Sequence, residues 1–263
     1  MRVAERLYDA QEWAAGQPLT SQRSGEGPVP NVAVRVSPRR LLALAEAVAR
    51  FHVSAARLRP EGDYEVDSLP RRLGKLVDAT EGSLEGLRAG VRHRAEDAHR
   101  RTSSRWLDLL PRALRTAREA SLRLPPSGRG SQVLCHGDLW PAHTHFQGND
   151  FVSFADFESL AFGPPTLDLA QLVAHFGGWE IRTEVVRSYE RFAPLAERCR
   201  ITLSLEVVAD LASEGLWSLE ALYVGPSFEV TGAQRAAHAH NLLALLGCLE
   251  EAYETAEEVA GQA

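Results

Sequence analysis

The sequence predicts a mainly α-helical α+β fold in which a small β insert interrupts the helices. Two observations lead to this fold class. Apolar residues recur at helical spacing over most of the chain, whereas residues 131–158 carry short apolar runs separated by Gly, Asn and Asp. The chain has 263 residues, of which 44% are hydrophobic and 24% charged, so it can bury a large core. We expect a single domain over residues 1–263.

The helices follow from apolar periodicity and from start signals. Ser37 followed by Pro38 is typical of a helix start, and apolar residues recur at helical spacing from Leu41 to Phe51. Pro111 lies inside another strongly periodic segment and is expected to kink or split that helix. After the first helix, the same periodicity predicts helices over residues 70–100, 103–123, 166–177, 180–192, 198–223 and 231–258.

Short apolar runs and turn residues predict the remaining elements. Residues 3–15 are predicted to form a short strand or hairpin, and residues 20–36 and 57–69 to form loops. Strands of the β insert are expected over residues 133–135, 144–146 and 151–155.

Composition excludes some classes of function. A formal charge of −6 and a pI near 5.9 argue against a general nucleic-acid binder. Three cysteines, Cys135, Cys199 and Cys248, are widely spaced in apolar segments, so we expect buried thiols in a reducing compartment. The chain shows neither a signal-peptide pattern nor the roughly 18–20 uninterrupted apolar residues of a membrane span. The expected location is the cytoplasm, without membrane or nucleic-acid partners.

The polar motif of the β insert carries the chemistry. Asp138 lies in a loop from His136 to His143, and Asp156 ends the apolar run 151–155. Phosphoryl transfer needs one acid to orient a hydroxyl and another to hold a metal on the phosphates. Asp138 alone also fits an Asx-turn. A charge at Asp156, however, is costly unless a cation offsets it, so together the two acids favour a metal-phosphate site.

Three sequence blocks resemble the aminoglycoside phosphotransferase and choline kinase family. The blocks are VLCHGDLWPA from Val133, FADFE from Phe154 and GPPTLDLA from Gly163. The resemblance implies the C-terminal lobe of a protein-kinase-like fold. In that lobe residues 1–19 would form a hinge-like segment, 37–130 a helical part, 131–165 the insert with the catalytic and metal loops, and 166–263 a helical substrate-side part.

The resemblance also implies roles for individual residues. Asp138 would be the catalytic base, and His136 would fix the loop through hydrogen bonds. Asp156 would bind Mg²⁺ or Mn²⁺ on the phosphates of ATP or GTP. Asp168 would pin the loop, although it also fits a helix cap.

The upstream part of the resemblance implies nucleotide contacts. The segment from Leu7 to Leu19 is similar to the strand that ends at the hinge between the two lobes, which places Glu12 and Trp13 near the adenine. A surface acid beside a core aromatic is the plainer interpretation of this pair.

The chain departs from the family pattern at two points. The sequence begins at the hinge, so the N-terminal β lobe, with its phosphate-binding lysine, is expected to be missing; the single lysine, Lys75, follows the hinge. His143 stands where the family has a metal-binding Asn, and imidazole suits metals other than Mg²⁺. His136, His143 and His145 with the two acids also suggest a transition-metal cluster.

Three functional hypotheses remain open. The first is a small-molecule kinase that phosphorylates a hydroxyl on an aminoglycoside, choline-like, sugar or amino-alcohol acceptor. The second is a catalytically degenerate binding module, in which a second copy or a partner protein would cover the exposed hinge face formed by Leu7, Tyr8 and Trp13. The third is a metal-dependent hydrolase that uses the histidines.

Acceptor-binding residues are expected in the helical region after the loop. Acids there would suit a cationic acceptor, but the same residues also fit packing positions or a solvated helix face. The candidates are Trp179, Glu180, Glu214, Trp217, Glu220 and Tyr223.

Overall fold

The computed structural model describes residues 17–18, 33–58, 68–124, 132–224 and 231–262. These residues are mainly helical with a few short strands, which confirms the predicted α+β class. The strands are β1 (Gln17–Pro18), β2 (Val133–Cys135), β3 (Thr144–Gln147), β4 (Asp150–Phe154) and β5 (Ala161–Gly163). The helices are α1 (Pro38–Ala55), α2 (Leu69–Arg94), α3 (Asp97–Arg123), α4 (Thr166–His175), α5 (Arg182–Glu190), α6 (Glu197–Tyr223) and α7 (Gly232–Gln262). The element predicted over residues 3–15, including Glu12 and Trp13, lies outside the described residues.

Helix α1 begins as the sequence predicts. The Ser37 hydroxyl accepts a hydrogen bond from the Arg40 amide at 3.4 Å, and Pro38 occupies the first turn. The apolar face is buried, including Leu41 and Leu44. Packing against α5, α4 and the β insert fixes this helix beside the site.

The predicted boundary between the second and third helices is wrong. The break lies at Ala95 and Glu96, both extended, and not at residues 101–102. Three basic residues fill the last turn of α2, where they interact favourably with the helix dipole, and acidic Glu96 occupies the N-cap position of α3 without a side-chain capping bond. The chain signals this break by charge and not by Gly or Pro.

Pro111 does not split α3, which runs unbroken from Asp97 to Arg123. A proline deprives one carbonyl of its helical donor, but tertiary packing on both sides sustains the helix. Trp106, Leu110 and Leu114 are fully buried in the contact of α3 with α2, α6 and α7. The Trp106 indole N–H also donates to the Leu242 carbonyl at 2.7 Å, which ties α3 to α7.

Two small antiparallel sheets form the β insert. The first has the order β1–β3–β4, and the second pairs β2 with β5. Strands β3 and β4 form a hairpin in which Thr144 faces Phe154, and Gly148 turns with a φ of 63°. Strands β1 and β5 are too short for the sequence pattern to predict. Their pairing brings the loop after β2 next to the end of β4.

No helix in the described ranges has both the length and the apolar character needed to span a membrane.

Candidate active site

Two side chains of α4 hold the loop after β2 by its backbone. The Asp168 carboxylate accepts from the His136 amide at 2.8 Å and from the Gly137 amide at 2.9 Å. One turn later, Gln171 accepts from the Leu139 amide at 2.8 Å and donates to the Gly137 carbonyl at 3.0 Å. These bonds fix the backbone on both sides of position 138.

Asp168 therefore pins the loop and does not cap α4, whose N-cap position is Pro165. The carboxylate is completely buried and also lies 2.9 Å from Nε2 of His52, whose Nδ1 lies 2.9 Å from the Tyr189 hydroxyl. A buried carboxylate is tolerated only with such a set of donors. This network anchors the loop to α1 and α5 as well as to α4.

Gly137 is required by the shape of the loop. Its φ is +79°, and a Cβ built at this position would lie 2.4 Å from the carbonyl oxygen of Ser159. Both the left-handed backbone and the close approach exclude a side chain.

His136 bridges the loop and the end of β4. Its Nδ1 accepts from the Asp138 amide at 3.3 Å, so the proton lies on Nε2, which donates to the Ala155 carbonyl at 2.9 Å. Burial lowers the pKa of His136, which favours this neutral form. The rings of Phe154 and Phe157 pack beside it. These are contacts that fix the loop, in keeping with the role the resemblance implies.

Asp138 and Asp156 converge on one imidazole. Nδ1 of His143 lies 3.4 Å from Oδ2 of Asp138, and Nε2 lies 3.6 Å from Oδ2 of Asp156. The hairpin explains this arrangement, because the Ala155 amide donates to the His143 carbonyl at 2.9 Å and sets residue 156 beside the ring. One ligand atom from each of the three side chains lies within 4.8 Å of the others, a separation that suits a metal ion.

The two acids differ in environment. The Asp156 side chain is 46% exposed, and its backbone has a φ of 60°, an uncommon conformation for a residue other than Gly. The Asp138 side chain is 34% exposed. Burial raises the pKa of Asp138; the neighbouring His143 opposes the rise and the charge of Asp156 adds to it. A raised pKa makes this carboxylate a better proton acceptor.

Behind the loop lies a network of polar side chains that the sequence motifs do not predict. The Trp140 ring stacks on His175 with centroids 3.7 Å apart, and Nε2 of His175 lies 2.6 Å from Oδ2 of Asp210. Burial lowers the pKa of His175, but the charge and hydrogen bond of Asp210 outweigh this effect and raise it. Gln171 reaches the same Asp210 at 3.5 Å. The sequence does carry a signal for this network: Asp168, Gln171 and His175 are spaced three and four residues apart in the otherwise apolar α4.

Of the six acceptor candidates, Glu214 is the one whose pKa is affected by a site acid. Burial raises its pKa to about 7, and the charges of Asp210 and Asp138 add to the rise. The other five have contacts that serve packing or surface pairing. Trp179 is buried, Glu180 pairs with Arg35, Trp217 packs against His238, Glu220 accepts from Ser83, and Tyr223 bonds to Ser103.

The remaining predicted site residues lie elsewhere. His145 is on β3, where its Nδ1 lies 3.5 Å from the Ser153 hydroxyl. His136 uses both ring nitrogens within the loop network. Of the three histidines, the structure therefore brings His143 alone to the two acids in the described part of the chain. Lys75 lies on α2, and Glu12 and Trp13 fall outside the described residues.

A loop anchored by α4, with two acids at adjacent strand ends, matches a known family. The model of the phosphotransferase enzyme family matches residues 2–200. The chain belongs to this family. The predicted resemblance is thereby confirmed. The comparison with curated proteins gives no match.

Solved structures of other phosphotransferases share the fold. An aminoglycoside phosphotransferase from Alicyclobacillus acidocaldarius is 20% identical with a TM-score of 0.55, and the match covers 86% of this chain and 70% of that one. A choline/ethanolamine kinase family protein from Mesorhizobium loti is 16% identical with a TM-score of 0.53, covering 84% and 68%. A spectinomycin phosphotransferase solved with ADP and spectinomycin is 14% identical with a TM-score of 0.53, covering 96% and 79%. The predicted kinase-like fold is confirmed.

Proposed function

We propose that this family member is a small-molecule kinase. It transfers the γ-phosphoryl group of ATP or GTP to a hydroxyl of an aminoglycoside, a choline-like compound, a sugar or an amino alcohol. The observation that carries the proposal is the convergence of Asp138 and Asp156 on His143. One carboxylate on an anchored loop and a second at a strand end match the division of labour in phosphoryl transfer.

Asp138 orients the acceptor hydroxyl and takes its proton. Its position supports this role, because the backbone on both sides of it is held by Asp168 and Gln171. Its raised pKa supports it too, because a base works best when its pKa approaches the working pH. His136 positions the loop against the end of β4 and does not take part in proton transfer.

Asp156 binds the divalent cation, Mg²⁺ or Mn²⁺, that accompanies the nucleotide. The residues fit such an ion: the carboxylate is accessible, and the His143 imidazole beside it offers a second ligand atom. When bound, the ion neutralises phosphate charge during transfer. The positive φ of Asp156 supports this role, because strained backbone concentrates at functional sites.

The acceptor carries an amine. Asp210 and Glu214 lie on α6 behind the loop, and the charges of both act on the same region as Asp138. Asp210 is already paired with His175, but Glu214 is ionised above about pH 7 and would then suit a cationic acceptor. The spectinomycin-bound phosphotransferase among the solved relatives supports an aminoglycoside-like compound as the first to test.

A second candidate is nucleotide binding without transfer. The resemblance places a metal-binding Asn where this chain has His143, which changes the ligand set for the nucleotide's cation. A weaker Mg²⁺ site would reduce the electrostatic stabilisation that is nearly the whole of this catalysis. The predicted second copy or partner at the hinge face belongs with this candidate. A cytoplasmic location is proposed for either candidate.

Radiolabelled phosphate transfer tests the proposal. The protein is incubated with γ-labelled ATP or GTP, Mg²⁺ or Mn²⁺ and a panel of hydroxyl acceptors, and product is separated from nucleotide. We expect transfer to at least one amine-bearing acceptor, and a loss of about 10²-fold or more in turnover in Asp138→Asn. Nucleotide binding should persist in that variant. Nucleotide binding by the wild type without transfer to any acceptor would favour the second candidate, and full transfer by Asp138→Asn would end the first.

A further inference from the structure

His143 occupies a chemically unusual place for a magnesium enzyme. Its ring lies between the two site acids, and its side chain is only 10% exposed. Mg²⁺ prefers oxygen ligands, whereas imidazole nitrogen suits first-row transition cations. A nitrogen donor at this point changes which ion the site prefers.

The hydrogen bonds of His143 determine which nitrogen is available. Nδ1 lies 2.9 Å from the Asp138 backbone carbonyl, an oxygen that can only accept, so Nδ1 carries the proton and donates it. The Asp138 carboxylate, 3.4 Å from the same nitrogen, reinforces this tautomer. In the neutral imidazole, Nε2 is then the nitrogen that holds the lone pair. A ring N–H that donates to a backbone carbonyl is the arrangement typical of a metal-binding histidine.

The available nitrogen faces the carboxylate that can share an ion with it. Nε2 of His143 lies 3.6 Å from Oδ2 of Asp156. Two ligand atoms about 2.1 Å from one ion lie roughly 3–4 Å apart, so this pair can bind the same ion with little movement. The Asp156 side chain is also partly open to solvent, which leaves a path for the ion.

The hairpin sets this pair before any ion binds. The Ala155 amide donates to the His143 carbonyl at 2.9 Å, and the β3–β4 register continues from that bond. The next residue, Asp156, has a left-handed backbone conformation. Since both ligand positions are fixed by the backbone, the nitrogen remains beside the carboxylate.

We propose that His143 Nε2 and an Asp156 carboxylate oxygen form a mixed nitrogen–oxygen site that selects a first-row transition cation over Mg²⁺. The inference rests on the proposed function only in assigning the nucleotide's cation to Asp156. Asp138 is left outside the ligand set. Its carbonyl fixes the tautomer of His143, and its carboxylate faces the acceptor.

Pulsed electron paramagnetic resonance of bound Mn²⁺ tests the site directly. The full chain is loaded with Mn²⁺ and a non-hydrolysable ATP analogue, and the spin-echo modulation from ¹⁴N is measured. We expect nitrogen coupling in the wild type and in His145→Asn, since His145 lies two residues further along, on β3, with its ring beside Ser153. His143→Asn should lose the coupling while still binding Mn²⁺ through Asp156.

Competition between cations gives a second readout. The affinities for Mn²⁺ and Mg²⁺ are measured by titration, with free Mn²⁺ followed by its resonance signal. We expect His143→Asn to lower the preference for Mn²⁺ over Mg²⁺ by about tenfold or more, because an amide oxygen replaces the nitrogen.

Other outcomes separate this inference from the proposed function. Bound Mn²⁺ without nitrogen coupling, or an unchanged preference in His143→Asn, would overturn the mixed site and leave phosphoryl transfer intact. Absence of Mn²⁺ binding in the presence of nucleotide would also overturn it. The transfer assay, run separately with Mg²⁺ and with Mn²⁺, judges the kinase proposal independently of all three results.

Discussion

At the scale of single residues, Gln171 fixes the position of Asp138. It forms one hydrogen bond with the residue before Asp138 and one with the residue after it, and it is buried. A buried backbone group that loses its partner is destabilised by about 1–3 kcal/mol. Gln171 is a positioning residue: it does not touch the reacting groups, but the placement of Asp138 depends on it.

Gln171→Met should separate these effects, because methionine has a similar volume and no polar group. We expect the free energy of unfolding, measured by urea denaturation, to fall by about 1–3 kcal/mol. The turnover number for phosphoryl transfer should fall while KM for the nucleotide changes little, because the displaced group acts in transfer. Gln147→Met, at an exposed position on β3, is the matched control. A folded Gln171→Met protein with unchanged turnover would contradict the positioning role.

Glu214 predicts a pH dependence of stability. Burial raises its pKa from the ordinary value near 4.5 to about 7 in the folded protein. The folded state therefore binds the proton more tightly than the unfolded state does. The stability from this group is present below pH 4.5 and is lost as the pH rises through about 7.

Glu214→Gln mimics the protonated acid at every pH. At pH 8 it should raise the free energy of unfolding by about 1–3 kcal/mol, and near pH 4.5 the difference should vanish. Urea denaturation between pH 4.5 and 8 measures both values, with the exposed Glu85→Gln as control. A variant that is less stable than the wild type at pH 8 would contradict the burial of an ionised carboxylate.

At the scale of elements, helix contacts decide what the sequence pattern alone cannot. Gly215 of α6 lies so close to Trp106 of α3 that a Cβ there would meet the indole ring at 2.2 Å. Gly82 of α2 is exposed, and a Cβ there would meet nothing within 4 Å. Both glycines look alike in sequence, since each interrupts a helical periodicity. One is required by close packing and the other is not.

Alanine substitutions at the two glycines should have opposite signs. Gly215→Ala is expected to destabilise the protein by about 1–3 kcal/mol, because Trp106 is fully buried and cannot move freely. Gly82→Ala is expected to stabilise it by up to about 1 kcal/mol, through helix propensity. Thermal or urea unfolding measures both. Equal effects would show that the α3–α6 contact is looser than described.

The helix boundaries also show which structural features a local sequence pattern can predict. Ser37 and Pro38 predict the start of α1 correctly because the cap is a local device. The break at Ala95 and Glu96 was missed, since it depends on charge at a helix end and on packing. Pro111 did not split α3 because contacts from three other helices outweigh one lost hydrogen bond.

At the scale of the whole molecule, the site joins residues that are distant in sequence. The motif order was enough to predict the family, and Asp138, His143 and Asp156 could be named from it. Gln171, His175 and Asp210 could not, because their roles arise only when α4 and α6 pack behind the loop. Spacing along α4 placed Gln171 and His175 on one face, but it did not show that this face meets the loop.

Nucleotide-dependent thermal unfolding tests the central claim, that Asp138 and Asp156 belong to a metal–nucleotide phosphoryl-transfer site. The wild type, Asp138→Asn and Asp156→Asn are heated with Mn²⁺ and a non-hydrolysable ATP analogue, with and without the metal. We predict a rise of a few degrees in Tm for the wild type and Asp138→Asn, corresponding to about 2–3 kcal/mol at a hundredfold excess over Kd, and its loss in Asp156→Asn. An unchanged wild-type Tm, or an equal rise in Asp156→Asn, would contradict the claim.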